Sequence, residues 1–242
     1  MGNKAITTKN RIMETAEKAK KREQALQYQK DLEVIKEEYK AAMEAFAARD
    51  FDTAIEKYKK ILELDPNQFV VTYNLGMSYI NIMMFKEATE ALKKGLDIQP
   101  ENPEANFYLA YSLMMAQKEK VTEVDEEVEE TEESKNALEK AETHFIKSLE
   151  FGFNDPNALF SMGALLVSNR REEAGLTAFT KAVEIKPDFE QAFIEMATSH
   201  VKLGHYERAK ELFEQYLKEH PEGEYTLRAE QMIKALERIL EK

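Results

Sequence analysis

The 242-residue sequence contains no cysteine and no tryptophan, and only eight glycines, six prolines and four histidines. Without cysteine there is no disulfide framework and no thiolate metal site, and a reducing compartment such as the cytoplasm fits. No run of 18 apolar residues occurs, so no membrane-spanning helix is expected. The opening MGNKAITTKNR leads into charged sequence rather than an apolar core, so no secretory signal is expected. Basic charge is also short: 34 Lys and Arg stand against 46 Asp and Glu, a net charge of -12. A chain so acidic is not expected to bind nucleic acid, where phosphates call for a basic patch.

The few prolines are regularly placed. Pro66 and Pro100 are 34 residues apart, as are Pro187 and Pro221. Four segments ending on them align without a gap: DTAIEKYKKILELDP (52–66), KEATEALKKGLDIQP (86–100), EAGLTAFTKAVEIKP (173–187) and ERAKELFEQYLKEHP (207–221). An apolar-periodic stretch precedes each, as in VTYNLGMSYINIMMF (71–85). Each unit therefore reads as two short amphipathic helices. Small residues recur where two helices must approach closely: Ala42, Gly76, Ala110, Gly163 and Ala197 in the first helix, and Ala54, Ala88, Ala141, Gly175 and Ala209 in the second. Large residues stand beside them at Tyr58, Leu92, Phe145, Phe179 and Phe213. A helix pair of this kind cannot bury its apolar faces alone, but a stack of pairs forms a continuous core.

This pattern resembles the tetratricopeptide repeat (TPR) family and bacterial TPR scaffold proteins. The resemblance implies an all-α, right-handed α-solenoid of about five helix pairs, over 35–68, 69–102, 103–155, 156–189 and 190–223. A long N-terminal helix and a C-terminal capping helix flank them. Some positions depart from the family pattern: Glu38 where Trp is favoured, Ala42 for Gly, Ser148 at the last small position, Phe153 for the proline, and Gly175 for Ala.

Residues 1–34 form a helical extension. No glycine or proline occurs between Gly2 and Pro66, and Ala25, Tyr28, Leu32, Ile35, Tyr39, Ala42 and Phe46 step by three and four. One helix from about residue 10 to 48, roughly 60 Å long, is the simplest reading. A break near 31–35 is the alternative. It either caps the first repeat or binds a partner. At the other end, 224–242 reads as the capping helix, with Leu227, Met232, Leu236, Ile239 and Leu240 on its apolar side.

The third unit is 53 residues long, 19 more than its neighbours, and the family alignment places the excess between its two helices, at about 118–136. The first helix is expected to end near Ala116 and the second to resume near Leu138. The insertion holds an acidic arm, including Glu123, Asp125, Glu126, Glu127, Glu129 and Glu130. Like charges at this density favour a solvated loop, whereas Val121, Val124 and Val128 at helical spacing favour extension of both helices. A solvated insertion, a contact for a basic partner and an arm bent towards the groove are the roles open to it.

No catalytic constellation is present. His200 and His205 stand five apart, off the four-residue step that aligns two ligands on one helix face. His144 and His220 lack the neighbours of a zinc site. No phosphate-binding glycine motif occurs. Neither an enzyme, a metal nor a cofactor is expected.

The resemblance implies that the first helix of each unit lines a concave groove. Its groove positions fall on Tyr39, Met43, Tyr73, Met77, Phe107, Tyr111, Met114 and Phe160. Aromatic rings give large contact area at low entropic cost, and methionine adapts to irregular partners. The expected function is a non-catalytic protein-interaction module that holds an apolar peptide or amphipathic helix. The alternative is a self-assembling scaffold whose N-terminal helix docks on a neighbouring copy. The family's carboxylate clamp is not carried over, because Tyr39 and Met43 stand where it requires polar or basic residues.

Overall fold

A computed structural model describes residues 2–122 and 132–241, with side chains described from residue 17 onward except 118–131 and 133. Among the described residues there are eleven helices and no strand: α1 (Gly2–Ala47), α2 (Phe51–Leu64), α3 (Phe69–Asn81), α4 (Phe85–Ile98), α5 (Pro103–Thr122), α6 (Glu132–Glu150), α7 (Pro156–Ser168), α8 (Glu172–Ile185), α9 (Glu190–Lys202), α10 (Tyr206–Glu219) and α11 (Thr226–Leu240). The all-α helix-pair reading holds. The chain forms two compact units, Met1–Ser112 and Leu113–Lys242.

In the first unit α1 packs on α2, α2 on α3, and α3 on α4. The core gathers Ala42, Ala54, Tyr58, Ile61, Val71, Leu75, Tyr79 and Ala88. The second unit repeats the scheme, with α7 on α8, α8 on α9, α9 on α10, and α10 on α11. Its core includes Phe179, Ile194, Met196, Phe213, Tyr216 and Leu236. Full burial of each such side chain contributes about 1.5–3 kcal/mol.

The small and large positions interlock as the repeat requires. Ala42, Ala110, Ala197, Tyr58, Leu92, Phe145 and Phe213 are all fully buried. A Cβ on Gly76 would lie 2.7 Å from Leu92 Cγ, and one on Gly163 would lie 2.6 Å from Phe179 Cε1. The large side chain of the second helix thus occupies the space the small residue of the first leaves open. The departures from the family pattern find local reasons. A Cβ on Gly175 would meet Val167 Cγ2 at 2.5 Å. Ser148 is buried and donates its hydroxyl to the Phe145 carbonyl at 2.6 Å. Glu38 pairs across to α2 with Lys57 at 3.2 Å and with Lys60.

Within four of the units the first helix ends in the same way. Arg49, Met83, Arg170 and Gly204 adopt left-handed backbone at φ 61, 60, 58 and 77°. At each, the residue itself donates three back and the next residue five back, as in Met83 N to Ile80 O (3.0 Å) and Met84 N to Tyr79 O (2.9 Å). This is the Schellman closure, which satisfies carbonyls left open at a helix end. In the third unit the equivalent position, Gln117, lies inside α5.

That difference corrects the helix ends expected there. α5 passes Ala116 and continues to Thr122, and α6 begins at Glu132, well before Leu138. They are 20 and 19 residues long, where α3, α7 and α9 have 13 and α4, α8 and α10 have 14. With the chain reversal displaced by the insertion, the sequence Gln117-Lys118-Glu119-Lys120, made of good helix formers, simply continues the helix. Glu123, Asp125, Glu126, Glu127, Glu129 and Glu130 lie outside the described residues.

The N-terminal helix is continuous from Gly2 to Ala47, with no break at 31–35. Its 46 residues span about 69 Å at 1.5 Å each. Ile35, Tyr39, Ala42, Ala45 and Phe46 join the first core, whereas residues 17–30 are exposed throughout. That stretch therefore does not fold over the first repeat.

Candidate functional site: the faces of the first helices

Of the eight groove positions, six lie in the first unit. Tyr39 is half-buried with its ring 6.4 Å from that of Tyr58. The Tyr58 hydroxyl donates to Met43 Sδ at 3.3 Å, and Asn74 Nδ2 donates to the same sulfur at 3.7 Å. Met43 thus stitches α1, α2 and α3 together while staying 41% exposed. On α3, Tyr73 stacks on Phe69 at 6.0 Å and meets Tyr108 of α5 edge-on at 6.3 Å. Met77 is half-buried beside them in sequence, and Tyr111 sets its ring 6.1 Å from Phe85. Tyr39, Tyr73, Tyr108 and Tyr111 are all only half-buried, so each keeps some surface open.

Two positions do not share that exposure. Phe107 is 2% and Met114 1% exposed, and both belong to internal packing rather than to an open face. Residue 107 shares its repeat position with Tyr39 and Tyr73, but on α5 the neighbouring Tyr108 takes the partly open place, its ring 5.3 Å from that of Phe107. The ring of Phe160 in the second unit is half-buried, 5.6 Å from Phe179 and 5.2 Å from Phe189.

The electrostatics of the face are those of neutral phenols. Burial first, and the neighbouring Tyr39 second, push Tyr58 up to about 12. Burial, reinforced by Tyr108 and Glu104, pushes Tyr73 well above the usual tyrosine value. Both remain donors at neutral pH.

A concavity that the sequence did not signal lies in the first unit among α2, α3 and α4, with a volume of about 540 Å³. Leu75, Tyr79 and Ala91 form its apolar part, and Lys59 places its ammonium 5.6 Å over the Tyr79 ring. Its polar lining, Lys59, Glu63, Lys86, Glu87, Glu90 and Lys94, consists of ordinary helix-surface residues, which carry no pattern that marks a hollow in the sequence. Among the described residues, no group of three or more His, Cys, Asp or Glu is placed to hold a metal ion. No described helix is long and apolar enough to cross a membrane.

Consecutive helix pairs with small-on-large packing and a common turn define an α-solenoid repeat protein. The tetratricopeptide-repeat family is the particular match: one of its models fits residues 45–105 and another 191–223, and the chain carries TPR repeats. Protein O-mannosyl-transferase TMTC3 of Homo sapiens is 27% identical over 170 residues, covering 70% of this chain and 17% of that protein. The chain therefore spans less than a fifth of that relative's length. Among solved structures, MamA aligns at 23% identity and a TM-score of 0.60, over 78% of this chain and 93% of that one. YrrB, described as a TPR protein with an unusual peptide-binding site, aligns at 22% and 0.55, over 78% and 88%. TTC0263, a thermophilic TPR protein of Thermus thermophilus, aligns at 13% and 0.51, over 82% and 98%. At these identities the likeness to the solved structures is one of fold.

Proposed function

We propose that this chain is a non-catalytic cytoplasmic scaffold that holds an apolar peptide or amphipathic helix against the first-helix face of its N-terminal unit. The observation that carries this reading is the row of Tyr39, Met43, Tyr73, Met77 and Tyr111. Tyr39, Tyr73, Met77 and Tyr111 are half-buried and Met43 is exposed, so each side chain keeps some accessible surface after packing. Apolar area left open at regular spacing on successive helices suits a ligand that offers anchors every turn. Replacing Tyr39, Tyr73 and Tyr111 together by Ser tests it. Capture of a bound partner is lost while far-UV helicity stays near that of the parent chain; undiminished capture by the folded variant would overturn the assignment.

A second reading has its own observation. On the exposed part of α1, Leu26, Tyr28 and Leu32 are 55, 64 and 43% exposed. They stand beside Lys20, Lys21 and Arg22 in a chain of net charge -12. Such a helix suits docking on a second, acidic copy. Solution mass across a concentration range then rises for the full chain and stays monomeric when residues 1–34 are removed. Equal monomeric mass for both chains rules this reading out.

A further inference from the structure

Two of the four histidines of the chain meet at one turn in the last repeat. His200 lies in the final turn of α9, and His205 is the N-cap of α10. The Schellman closure holds them: the His205 N–H donates to the His200 carbonyl at 2.9 Å, and Gly204 donates to Val201 O at 3.0 Å. Gly204, at φ 77°, turns the chain so that both rings come to the same side. Their Nδ1 atoms stand 3.3 Å apart, with ring centroids at 5.5 Å and planes inclined by 51°. A five-residue step separates two side chains on a helix. Across this turn it brings them together.

The geometry points to a chelating site for a divalent transition ion, zinc in particular, at Nδ1 of His200 and Nδ1 of His205. Two nitrogens each about 2.05 Å from a tetrahedral zinc lie about 3.3–3.4 Å apart. The observed separation is that bite. In the present arrangement the rings face each other Nδ1 to Nδ1, at a separation that suits a tautomer in which one nitrogen donates its N–H to the other. Modest rotation of each ring about its Cβ–Cγ bond, a soft torsion for histidine, aims both lone pairs at one point. Binding then requires that proton to leave Nδ1. It moves, through water, to Nε2 of the same ring, so the neutral pair takes the ion without a net change in bound protons. His205 is exposed and His200 half-buried, which leaves the remaining coordination positions to water. The backbone closure fixes the main chain of both residues before the ion arrives, so chelation orders only the side-chain torsions. Arg208 is the charged group that acts on His200 from the following helix and opposes a cation. Its own charge is partly met by Glu211 at 2.9 Å. The corresponding turn positions in the other units hold Ala45 and Asp50, Tyr79 and Met84, and Leu166 and Arg171, so the pair is confined to the last repeat.

Zinc chloride titrated into the full chain at pH 7.5 tests the site, followed by calorimetry and by the imidazole ¹⁵N resonances. Saturable uptake of one ion per chain is expected. Both Nδ1 resonances, of His200 and His205, move to metal-bound values, and those of His144 and His220 stay in place. His205→Asn keeps a favourable N-cap and lowers the affinity at least tenfold with unchanged far-UV circular dichroism. Absence of saturable uptake, movement of only one of the two rings, or equal affinity in the folded His205→Asn chain would each overturn the assignment.

Discussion

The hydroxyl of Tyr216 donates to Glu190 Oε2 at 2.5 Å and accepts the Tyr225 backbone N–H at 3.1 Å. A fully buried side chain of α10 thus ties the start of α9 to the start of the capping helix. Removing only the hydroxyl leaves the ring packing but takes a partner from the Tyr225 N–H and from Glu190, which keeps solvent and His220 at 3.7 Å. Tyr216→Phe is expected to cost about 1–3 kcal/mol and to raise amide exchange over residues 226–240 more than elsewhere. Uniform exchange along the chain would show that the bond does not anchor α11.

Alkali should act through the buried phenols. Tyr58 and Tyr216 are both pushed up to about 12, each chiefly by burial; the Glu190 bond adds to the shift at Tyr216. A folded value above the unfolded one, about 10, means that the neutral form is favoured in the native state. That stability is complete below about pH 10 and is lost as pH rises through about 12. Circular dichroism against pH should show unfolding beginning above pH 10. Tyrosinate absorbance should then lag behind that of free tyrosine. Tyr216→Phe should move the onset of unfolding to higher pH relative to its own neutral-pH stability.

The close approach at Gly163 makes a sharp test of the repeat packing. A methyl there would sit 2.6 Å from the Phe179 ring. Gly163→Ala is expected to destabilise the chain by about 1–3 kcal/mol through overpacking, against the usual gain from replacing a helical glycine by alanine. Chemical denaturation reads the difference, and a more stable variant would mean that the ring yields without cost.

The common turn predicts changes of opposite sign at equivalent positions. Met83 holds φ 60° and is 68% exposed, so Met83→Gly relieves left-handed strain and removes little packing. It should stabilise by about 0.5–1 kcal/mol. Gly204→Ala, at φ 77°, should destabilise by a similar amount. Thermal melts of the two single variants check both signs.

Glu38 carries the acid-side prediction. Its hydrogen bond to Lys60, with Lys57 beside it, holds its carboxyl below the usual glutamate value. The contribution is therefore present above about pH 4.3 and fades as pH falls through the lower folded value. Glu38→Gln should lower the melting temperature at pH 7, and by progressively less as the pH is lowered below about 4.3.

The repeat itself was legible because it depends on local chemistry. Spacing of small and large residues determines which side chains share a helix face, and prolines at 34-residue intervals mark where pairs end. Ala42 with Tyr58, and Gly163 with Phe179, could be named before any coordinates. So could the long N-terminal helix, since no glycine or proline stands between Gly2 and Pro66, although it ends at Ala47 in the left-handed turn at Arg49. The ends of α5 and α6 were only partly legible: the valine spacing allowed extension of both helices, but the acidic run favoured a loop, and good helix formers carry α5 on to Thr122.

What only the tertiary structure decided is exposure and convergence. Tyr73 and Phe107 hold the same position in their repeats, yet one is half-buried and the other closed over, since burial depends on the helix across from each. His200 and His205 look separated when counted along a helix. A left-handed residue between them reverses the chain and sets their nitrogens 3.3 Å apart. Sequence period determines which way a side chain points from its own helix. The neighbouring helices and turns determine what it meets there.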